Sequence, residues 1–554
     1  MCGIFCRICF SEHNDYVEPE LQQRIDNRGP DNTGTLFIKN HGIHIKFCGS
    51  VMWMQGHKAV PQPVETNEGV FLYNGDIFDR DWDSERSDTE QIVQRLSTCM
   101  STAEIVNQIN MLKGPFSLVY YSKVTNELIF SRDRVGRNSL LFCNDSQAII
   151  VSRNYDCIEI PASHIYALNL IGKRITLYPW NHNKNVENKQ KEYCVMDWYK
   201  SVKLTQSLPD EEFSIENMEP VIHFIESTAL QTSNKVTLME TLLNNFTIRN
   251  IVTKLITLLS SSIELRLTRQ PNKCKACLYS SVHCSHSSVG ILFSGGLDCT
   301  ILAYLADKYV PKEQGIDLIN VAFKKDDKSS YDVPDRLTGM QSSEELKELC
   351  PNRQWIFKEI NIPKELLTKC QENTISDLVY PRQTILDESL GSALWFASQG
   401  DDGCIKSPCR VLILGSGADE LFGGYTRHRN AFKRHGWVGL ANELQLDWKR
   451  ISFRNLARDN RVICDHGRQP RMPYLDEDFT DYVLNLKPWF KWLGIGIGDK
   501  LFLRLVAFHL GLRNVAVFPK RALQFGSRIA NKKEKGNHLS MNLLSTCETL
   551  NNTL

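Results

Sequence analysis

Two glycines flanked by a serine and an acid mark residues 294–298 (SGGLD) as a run that could do chemistry. An apolar stretch, residues 289–293, precedes the run, and a helical pattern, residues 300–306, follows it. Paired glycines let a backbone bend tightly and approach a ligand, and a helix N-terminus offers free N–H groups to phosphate. The lysine of a Walker loop is not in the run. It therefore predicts a phosphate-binding turn of another type, with an ordinary strand-turn-helix corner as the alternative.

A cysteine stands at position two, in the opening run MCGIF. Once the initiator methionine is removed, Cys2 carries both a thiol and the α-amine of the chain. An α-amine titrates near pH ~7.7–8.0, so it can act as a base for the thiol at neutral pH. The opening therefore predicts a nucleophilic cysteine, although these residues alone are not specific.

Further motifs follow in order, namely NRGPD at 27–31, YNGDIF at 73–78, SDTE at 87–90 and RDRVG at 132–136. Their order and spacing resemble the N-terminal-nucleophile glutaminase domain of class II glutamine amidotransferases. The SGGLD run resembles the pyrophosphate loop of N-type ATP pyrophosphatases, which split ATP into AMP and pyrophosphate. The two together are similar to the asparagine synthetase family, and most closely to its branch of asparagine synthetase domain-containing proteins. The resemblance covers the chain to about residue 528.

The resemblance implies a glutaminase site at the N-terminal end. Cys2 would attack the side-chain amide of glutamine, form a thioester and release ammonia. The side chain of Asn74 and the N–H of Gly75 would stabilise the oxyanion, although an Asn-Gly pair alone is typical of a hairpin turn. Asn74, Gly75 and Asp76 would contact glutamine, and Asp88 would hold its α-amine.

The resemblance also implies an ATP site in the C-terminal half. A second motif, LGSGADELFGGY at 414–425, matches a family run, and Asp298 and Asp419 would hold Mg²⁺ because paired carboxylates suit a hard cation. Phe293 and Phe323 occupy positions that contact adenosine in the family. The implied ATP-binding residues are Phe293, Ser294, Gly295, Gly296, Asp298, Phe323, Gly415 and Ser416.

Three positions depart from the family pattern. Ser50 stands where an arginine clamps the glutamine carboxylate, Ser416 replaces a glutamate that transfers protons, and Ala522 replaces a lysine that stabilises charge. Lys520 or Arg521 could reach the site in place of that lysine. These departures favour retained ATP and Mg²⁺ binding with compromised chemistry on aspartate.

Three functions follow from these observations. The first is an ATP-dependent, glutamine-hydrolysing ligase of asparagine biosynthesis, with glutamine, ATP and aspartate as substrates. The second is a catalytically impaired pseudo-enzyme that serves as a scaffold or binding subunit. The third is an adenylating amide ligase with another acceptor acid. Protein partners are not indicated.

Composition and simple sequence patterns indicate which partners and which cellular location to expect. The 554 residues include 65 Lys and Arg against 64 Asp and Glu, so the formal charge of +1 gives no reason to expect a nucleic acid partner. The sequence shows no apolar run of about 20 residues and no leader pattern, which favours a cytoplasmic protein without a membrane partner. The 18 cysteines are expected to be reduced.

Segment patterns predict an α+β N-terminal-nucleophile hydrolase domain with layered antiparallel sheets at 1–180. A linker is expected at 181–250. An α/β, ATP pyrophosphatase-like domain with a doubly wound parallel sheet is expected at 251–530, with a helix at 250–269 and strands at 289–293, 317–323 and 410–414. The polar tail, 531–554, is expected to be disordered.

A cluster of cysteines and histidines lies just before the first strand of the second domain. It comprises Cys274, Cys277, His283, Cys284 and His286. These residue types are zinc ligands, but their spacing matches no standard zinc module. We interpret the segment as a loop, with a zinc site as the alternative.

Overall fold

The computed structural model describes residues 2–10, 17–143, 148–150, 157–181, 190–204, 220–326, 328–492, 498–530 and 535–543. The strands are β1 (Gly3–Cys9), β2 (Asn32–Asn40), β3 (Ile43–Val51), β4 (Val64–Glu65), β5 (Gly69–Gly75), β6 (Phe116–Ser122), β7 (Glu127–Arg132), β8 (Leu141–Cys143), β9 (Ala148–Ile150), β10 (Cys157–Glu159), β11 (His164–Asn169), β12 (Arg174–Pro179), β13 (Lys191–Cys194), β14 (Val289–Leu292), β15 (Ile316–Phe323), β16 (Trp355–Ile362), β17 (Val411–Ile413) and β18 (Gln469–Arg471).

The α-helices are α1 (Pro19–Arg28), α2 (Asp88–Leu96), α3 (Thr102–Asn110), α4 (Val195–Leu204), α5 (Pro220–Gln231), α6 (Lys235–Asn244), α7 (Phe246–Thr268), α8 (Leu297–Ala306), α9 (Pro334–Leu349), α10 (Lys364–Cys370), α11 (Ser376–Val379), α12 (Ile385–Gln399), α13 (Ala418–Phe422), α14 (Thr426–Ile451), α15 (Ala457–Cys464), α16 (Glu477–Asn485), α17 (Leu501–His509), α18 (Arg513–Val517) and α19 (Leu523–Gly526).

Two antiparallel sheets face each other in the N-terminal half. The first has the order β10-β8-β9-β1-β3-β2 and the second β13-β12-β11-β7-β6-β5-β4. Side chains alternate between the faces of a strand, so Leu72 packs between the sheets whereas its neighbour Phe71 packs against α2 and α3. Helix α1 covers the outer face of the first sheet. The half therefore has the layered antiparallel sheets that the sequence predicts, and the structure adds helices on both outer faces.

A parallel sheet organises the C-terminal half, with the order β16-β15-β14-β17-β18. Leu318 and Ile413 pack on one face with α7, α8 and α17. Ile319 and Leu412 pack on the other face with α12 and α15. Helices on both faces confirm the doubly wound arrangement. The predicted helix at 250–269 corresponds to α7, and each of the three predicted strands has its counterpart here, in β14, β15 and β17.

The expected linker, 181–250, contains regular structure wherever it is described. Strand β13 pairs with β12 at the edge of the second sheet, while α6 packs on α7. We therefore propose that 190–204 belongs to the first half and 220–250 to the second. Of the expected tail, residues 535–543 pack on α12, and the remainder, 531–534 and 544–554, lies outside the described residues.

One disulfide departs from the expected reduced state of the cysteines. Cys143 and Cys157 lie directly opposite each other in the β8–β10 pair, and their sulfurs are bonded. The other cysteines of the described residues are free. No helix among the described residues is long and apolar enough to cross a membrane.

Candidate active sites

Cys2 lies between the two antiparallel sheets and is 6% exposed. Its backbone N donates to Oδ1 of Asn74 at 3.0 Å, which joins the start of β1 to the end of β5 on the facing sheet. Arg28 donates from Nε to the Cys2 carbonyl at 3.4 Å. Burial is the main reason that the pKa of the Cys2 thiol is raised, so the thiol is neutral at rest and needs a base to react.

Asn74 and Gly75 end a strand and do not form a hairpin turn. They pair in register with Ser117 and Phe116 of β6. The Asn74 side chain donates from Nδ2 to Ser117 Oγ at 3.1 Å, and Asn138 donates to the Asn74 carbonyl at 2.8 Å. These contacts fix the Asn74 amide beside Cys2, where the sequence expects an oxyanion donor.

Asp88 begins α2, where Ser87 is the N-cap. Its carboxylate accepts from the backbone N of Thr89 at 2.8 Å and of Ile77 at 3.3 Å. Burial, followed by the charge of Asp76, raises the pKa of Asp88 to about 7. Asp88 is therefore close to half ionised at neutral pH and is a suitable partner for an ammonium group.

The carboxylate of Asp76 has hydrogen-bond partners that the sequence did not predict. Its carboxylate accepts from Gln469 at 2.7 Å, from Arg471 at 3.2 Å and from Gln55 at 3.0 Å. Gln469 and Arg471 belong to β18 of the other half. These donors mean that the Asp76 carboxylate joins the two halves, while contact of this residue with glutamine stays a prediction.

Ser50, at the position of the expected arginine clamp, forms a hydrogen bond to α1. Its Oγ donates to Oδ1 of Asp26 on α1 at 2.7 Å, and the residue is buried. The position therefore offers glutamine no bidentate cation, as the sequence indicates.

The SGGLD turn joins β14 to α8 at the carboxyl end of the parallel sheet. Gly295 has a φ of +72°, and a Cβ there would lie 2.4 Å from the backbone N of Gly339. Gly296 is the N-cap of α8. Ser294, Gly296 and Asp298 line a cavity of about 350 Å³, as do Gly415 and Ser416. The turn has the geometry expected of a phosphate cradle.

Four charged residues meet in this cavity. Lys500 Nζ lies 2.5 Å from Asp298 Oδ2 and 2.5 Å from Asp419 Oδ1. Lys520 Nζ lies 2.5 Å from Asp419 Oδ2. Although burial acts in the opposite direction, the two lysines hold the pKa of Asp419 far below its usual value. The structure thus brings together the two acids that the sequence paired.

The carboxylates fit a magnesium ion. Asp298 Oδ1 is buried and has no hydrogen-bond partner among the described residues. A buried acceptor without a donor is costly, and a hard divalent cation prefers such carboxylate oxygens. Asp298 and Asp419 are therefore suited to hold Mg²⁺ beside the phosphates of a nucleotide.

Sequence reasoning missed Lys500. It directly precedes α17, whose residues 501–508 are apolar except for Arg504. Lys500 itself adopts a left-handed φ of +55°. A lone lysine at the start of an apolar helix was the available signal. Of the two cations considered as replacements at Ala522, Lys520 reaches Asp419, whereas Arg521 donates to Thr338 at 3.0 Å.

Ser416 lies in the cavity wall near a carboxylate that the sequence did not single out. Glu420 is buried, and Tyr425 and Asn455 each donate to its Oε1 at 2.7 Å. Burial first, and then the charge of Asp419, raise the pKa of Glu420. Glu420 and Ser416 both line this cavity.

The two phenylalanines expected at adenosine differ in position. Phe293 lines the cavity, with its ring edge-on to Phe357. Phe323 does not line it, because its ring packs edge-on against Phe396 of α12 in the core. Ile319 and Val321 line the cavity from β15, and the contact of Phe323 with adenosine stays a prediction.

Helix α15 connects the two sites. Its Arg458 and Asp459 line the cavity at the SGGLD turn. The next residue, Asn460, accepts from Arg28 at 3.0 Å and donates to Asn138 at 3.0 Å. Since Arg28 contacts Cys2 and Asn138 contacts Asn74, one turn of helix links both sites.

Comparisons with known proteins match both halves of the chain. The family model of the glutamine amidotransferase domain matches residues 1–164, and that of asparagine synthase matches residues 274–510. An asparagine synthetase domain-containing protein of Drosophila melanogaster is 39% identical over 98% of this chain and 100% of its own length. The corresponding protein of Gallus gallus is 34% identical over 97% of this chain and 99% of its own.

A more distant relative has an enzyme name. A probable glutamine-hydrolysing asparagine synthetase of Schizosaccharomyces pombe is 22% identical over 91% of this chain and 79% of its own length. Both halves of the chain, and nearly its whole length, are thus matched within one group of proteins. The chain belongs to the asparagine synthetase-like glutamine amidotransferases, in the family of asparagine synthetase domain-containing proteins.

Proposed function

We propose that the chain hydrolyses glutamine and uses ATP to convert aspartate into asparagine, with glutamate, AMP and pyrophosphate as the other products. The observation that carries this proposal is the convergence of Asp298, Asp419, Lys500 and Lys520 at the SGGLD turn. A phosphate cradle alone would serve many ATP-binding proteins. Two carboxylates suited to Mg²⁺, with two lysines beside them, can in addition neutralise the charge that develops as pyrophosphate leaves.

The glutaminase step uses groups around Cys2. With the initiator methionine removed, the α-amine of Cys2 takes the thiol proton, and sulfur attacks the amide carbon of glutamine. The side chain of Asn74 and the N–H of Gly75 stabilise the oxyanion, each contributing about 3 kcal/mol. The C–N bond then breaks with protonation of the leaving nitrogen, so ammonia departs and a thioester remains. Water hydrolyses that thioester to glutamate.

The synthetase step takes place at the SGGLD turn. Ser294 and the N–H groups of Gly295 and Gly296 orient the phosphates of ATP. Asp298 and Asp419 would hold Mg²⁺, which when bound neutralises phosphate charge. Lys500 and Lys520 stabilise the charge that develops as the acceptor carboxylate displaces pyrophosphate from the α-phosphorus. Ammonia then attacks the acyl carbon and AMP leaves; we propose Glu420 as acceptor of the proton that Ser416 cannot take.

A second candidate is a nucleotide-binding scaffold without turnover. It is favoured by Ser50, whose Oγ is committed to Asp26. Without a bidentate cation for the glutamine carboxylate, affinity for glutamine falls. An adenylating ligase with another acceptor is the third possibility.

Pyrophosphate release by the purified full chain with Mg²⁺-ATP distinguishes these functions. Release that requires aspartate, and forms asparagine from glutamine or from ammonia, supports the proposal. If pyrophosphate is released only with another carboxylic acid, that acid is the acceptor instead of aspartate. If the chain binds ATP but releases no pyrophosphate with any acid, the proposed enzymatic activity is contradicted and the scaffold function is favoured. Asp298→Asn, with exposed Asp481→Asn as control, shows whether release depends on the cavity.

A further inference from the structure

Three cysteines and one histidine converge in the segment between α7 and β14. Nδ1 of His286 lies 3.8 Å from Cys274 Sγ, 3.5 Å from Cys277 Sγ and 3.8 Å from Cys284 Sγ. All four atoms lie within 4.8 Å of one another. We propose that these four residues, which we call the Cys3His centre, bind one Zn²⁺.

The distances from the imidazole nitrogen to the three sulfurs match a tetrahedron around zinc. With Zn–S of about 2.3 Å and Zn–N of about 2.0–2.1 Å, a tetrahedral site places sulfur and nitrogen about 3.6 Å apart. The three distances to His286 Nδ1, 3.5 to 3.8 Å, fall near that value. A central ion therefore reaches all four ligand atoms without large movement of the backbone.

The surrounding backbone holds the ligands in this arrangement. Cys274 donates from its backbone N to Cys284 Sγ at 3.4 Å, a contact that favours the thiolate form. Gln314 donates from Nε2 to the carbonyls of Asn272 at 2.9 Å and Cys284 at 3.0 Å. One side chain thus ties together both ends of the ligand-bearing loop.

The ligand set selects zinc and a structural role. Three thiolates and one imidazole complete a four-coordinate shell, which is typical of closed structural zinc sites and leaves no position for substrate. Iron–sulfur clusters are usually held by four cysteines. Oxygen-preferring cations such as Mg²⁺ are excluded by the soft sulfur ligands. The alternative chemistry of the same residues is a disulfide between two of the cysteines.

The fifth member of the sequence cluster provides a matched comparison. His283 is only one residue before Cys284, yet its Nε2 lies 3.4 Å from Glu313 Oε1 and both side chains are exposed. His283 therefore does not belong to the Cys3His centre. Its substitution changes the same loop without removing a ligand.

The loop that the metal would order lies against both halves of the protein. Tyr279, inside the loop, stacks on Trp53 of the N-terminal half with ring centroids 6.3 Å apart. Lys275 donates from its backbone N to the Pro408 carbonyl at 2.9 Å and from Nζ to the His466 carbonyl at 2.5 Å. Zinc would fix Lys275 and Tyr279 in place and so stabilise this contact between halves.

Elemental analysis of the full chain, purified without chelator, tests the proposal. We expect about one zinc per chain for the unaltered protein and for His283→Ala, and a loss of at least fivefold for His286→Ala and Cys277→Ser. Because a ligand variant can fail to fold, Co²⁺ exchange into the unaltered protein provides an independent measurement. Thiolate-to-cobalt charge-transfer bands and tetrahedral d–d bands support the Cys3His centre.

Three outcomes would overturn the zinc site. The first is full-length folded protein with well under one zinc per chain and no thiolate bands on Co²⁺ titration. The second is equal loss of zinc in His283→Ala and His286→Ala. The third is peptide mapping that finds a disulfide among Cys274, Cys277 and Cys284 in protein purified under reducing conditions.

Discussion

Arg28 of the N-terminal half donates a hydrogen bond from Nη2 to Oδ1 of Asn460 in the C-terminal half, at 3.0 Å, and both residues are buried. The same guanidinium contacts the Cys2 carbonyl, and Asn460 follows two residues that line the nucleotide cavity. A change at either site can therefore reach the other through few, fully buried hydrogen bonds.

Asn460→Ala should uncouple the two halves. Arg28 and Asn138 each lose a buried partner, at a cost of about 1–3 kcal/mol per unpaired group. Because these two residues contact Cys2 and Asn74, their shift should misalign the glutaminase groups, and we expect glutamine-dependent asparagine formation to fall by roughly tenfold or more. Ammonia-dependent formation should change little. Exposed Asn485→Ala is the control, and parallel losses with both nitrogen sources would contradict the coupling.

Cys2→Ala should lower the rate of glutamine hydrolysis by roughly three orders of magnitude or more, because the variant lacks the proposed nucleophile. Pyrophosphate release with ammonia should persist, since the nucleotide cavity is unchanged. Glutamate release is the measurement. Cys9→Ala, on the same strand β1, should behave like the unaltered protein; glutamate release that survives in Cys2→Ala would exclude this cysteine as nucleophile.

Glutamine binding should weaken as the pH falls below about 7. The raised pKa of Asp88, about 7, means that its carboxylate is neutralised below that pH and no longer attracts the α-ammonium group of glutamine. We expect the KM for glutamine to rise up to tenfold per pH unit between pH 7 and 6. Asp88→Asn should show a high KM that does not vary with pH. A flat profile in the unaltered protein would refute the assignment.

Gly295→Ala should destabilise the phosphate turn. Its φ of +72° costs an alanine about 1–2 kcal/mol, and the added Cβ would lie 2.4 Å from the backbone of Gly339. We expect a lowered melting temperature and weaker ATP binding by calorimetry. Gly296→Ala is the matched control, because its Cβ would meet only Ser294 Oγ, at 3.3 Å. Equal melting temperatures for the two variants would show that the turn is not constrained as described.

Lys500→Met should make stability depend on magnesium. Its removal leaves Asp298 and Asp419 facing each other without the shared cation, which costs about 3–5 kcal/mol for a buried charge. We expect the free energy of unfolding in urea to fall by this amount in chelator and to recover in part with Mg²⁺, which takes carboxylate ligands. Exposed Lys487→Met should show neither effect. A Lys500→Met variant as stable in chelator as in Mg²⁺ would contradict it.

Local patterns predicted much of the fold. The strand at 289–293, the SGGLD turn and the helix after it could be predicted because apolar runs, glycines and helix periodicity are patterns within a few neighbouring residues. The order of motifs likewise identified both halves. The departures at Ser50 and Ser416 were also visible in the sequence, and the structure adds that Ser50 is committed to Asp26.

Long-range pairings could not be predicted. Lys500 meets Asp298 from 202 positions away, and no local pattern reports such an approach. Asp76 is an acidic residue within a glutaminase motif, which predicted contact with a ligand. Strand β18 brings Arg471 to it from the other half, and no local pattern indicated that pairing. The cysteine and histidine spacing matched no known module, because its geometry depends on how the loop folds between α7 and β14.

The short segment 535–543 gives the nucleotide half an unexpected dependence on the far end of the chain. Carbonyls of Gly536 and His538 accept from the first N–H groups of α12, at 2.9 and 3.0 Å, and Leu543 is buried against the core. Helix α12 forms one side of the nucleotide cavity. A chain shortened to residue 530 would remove these two acceptors and leave Thr384 as the cap of the helix, so residues beyond the 274–510 match to asparagine synthase also help to shape the pocket.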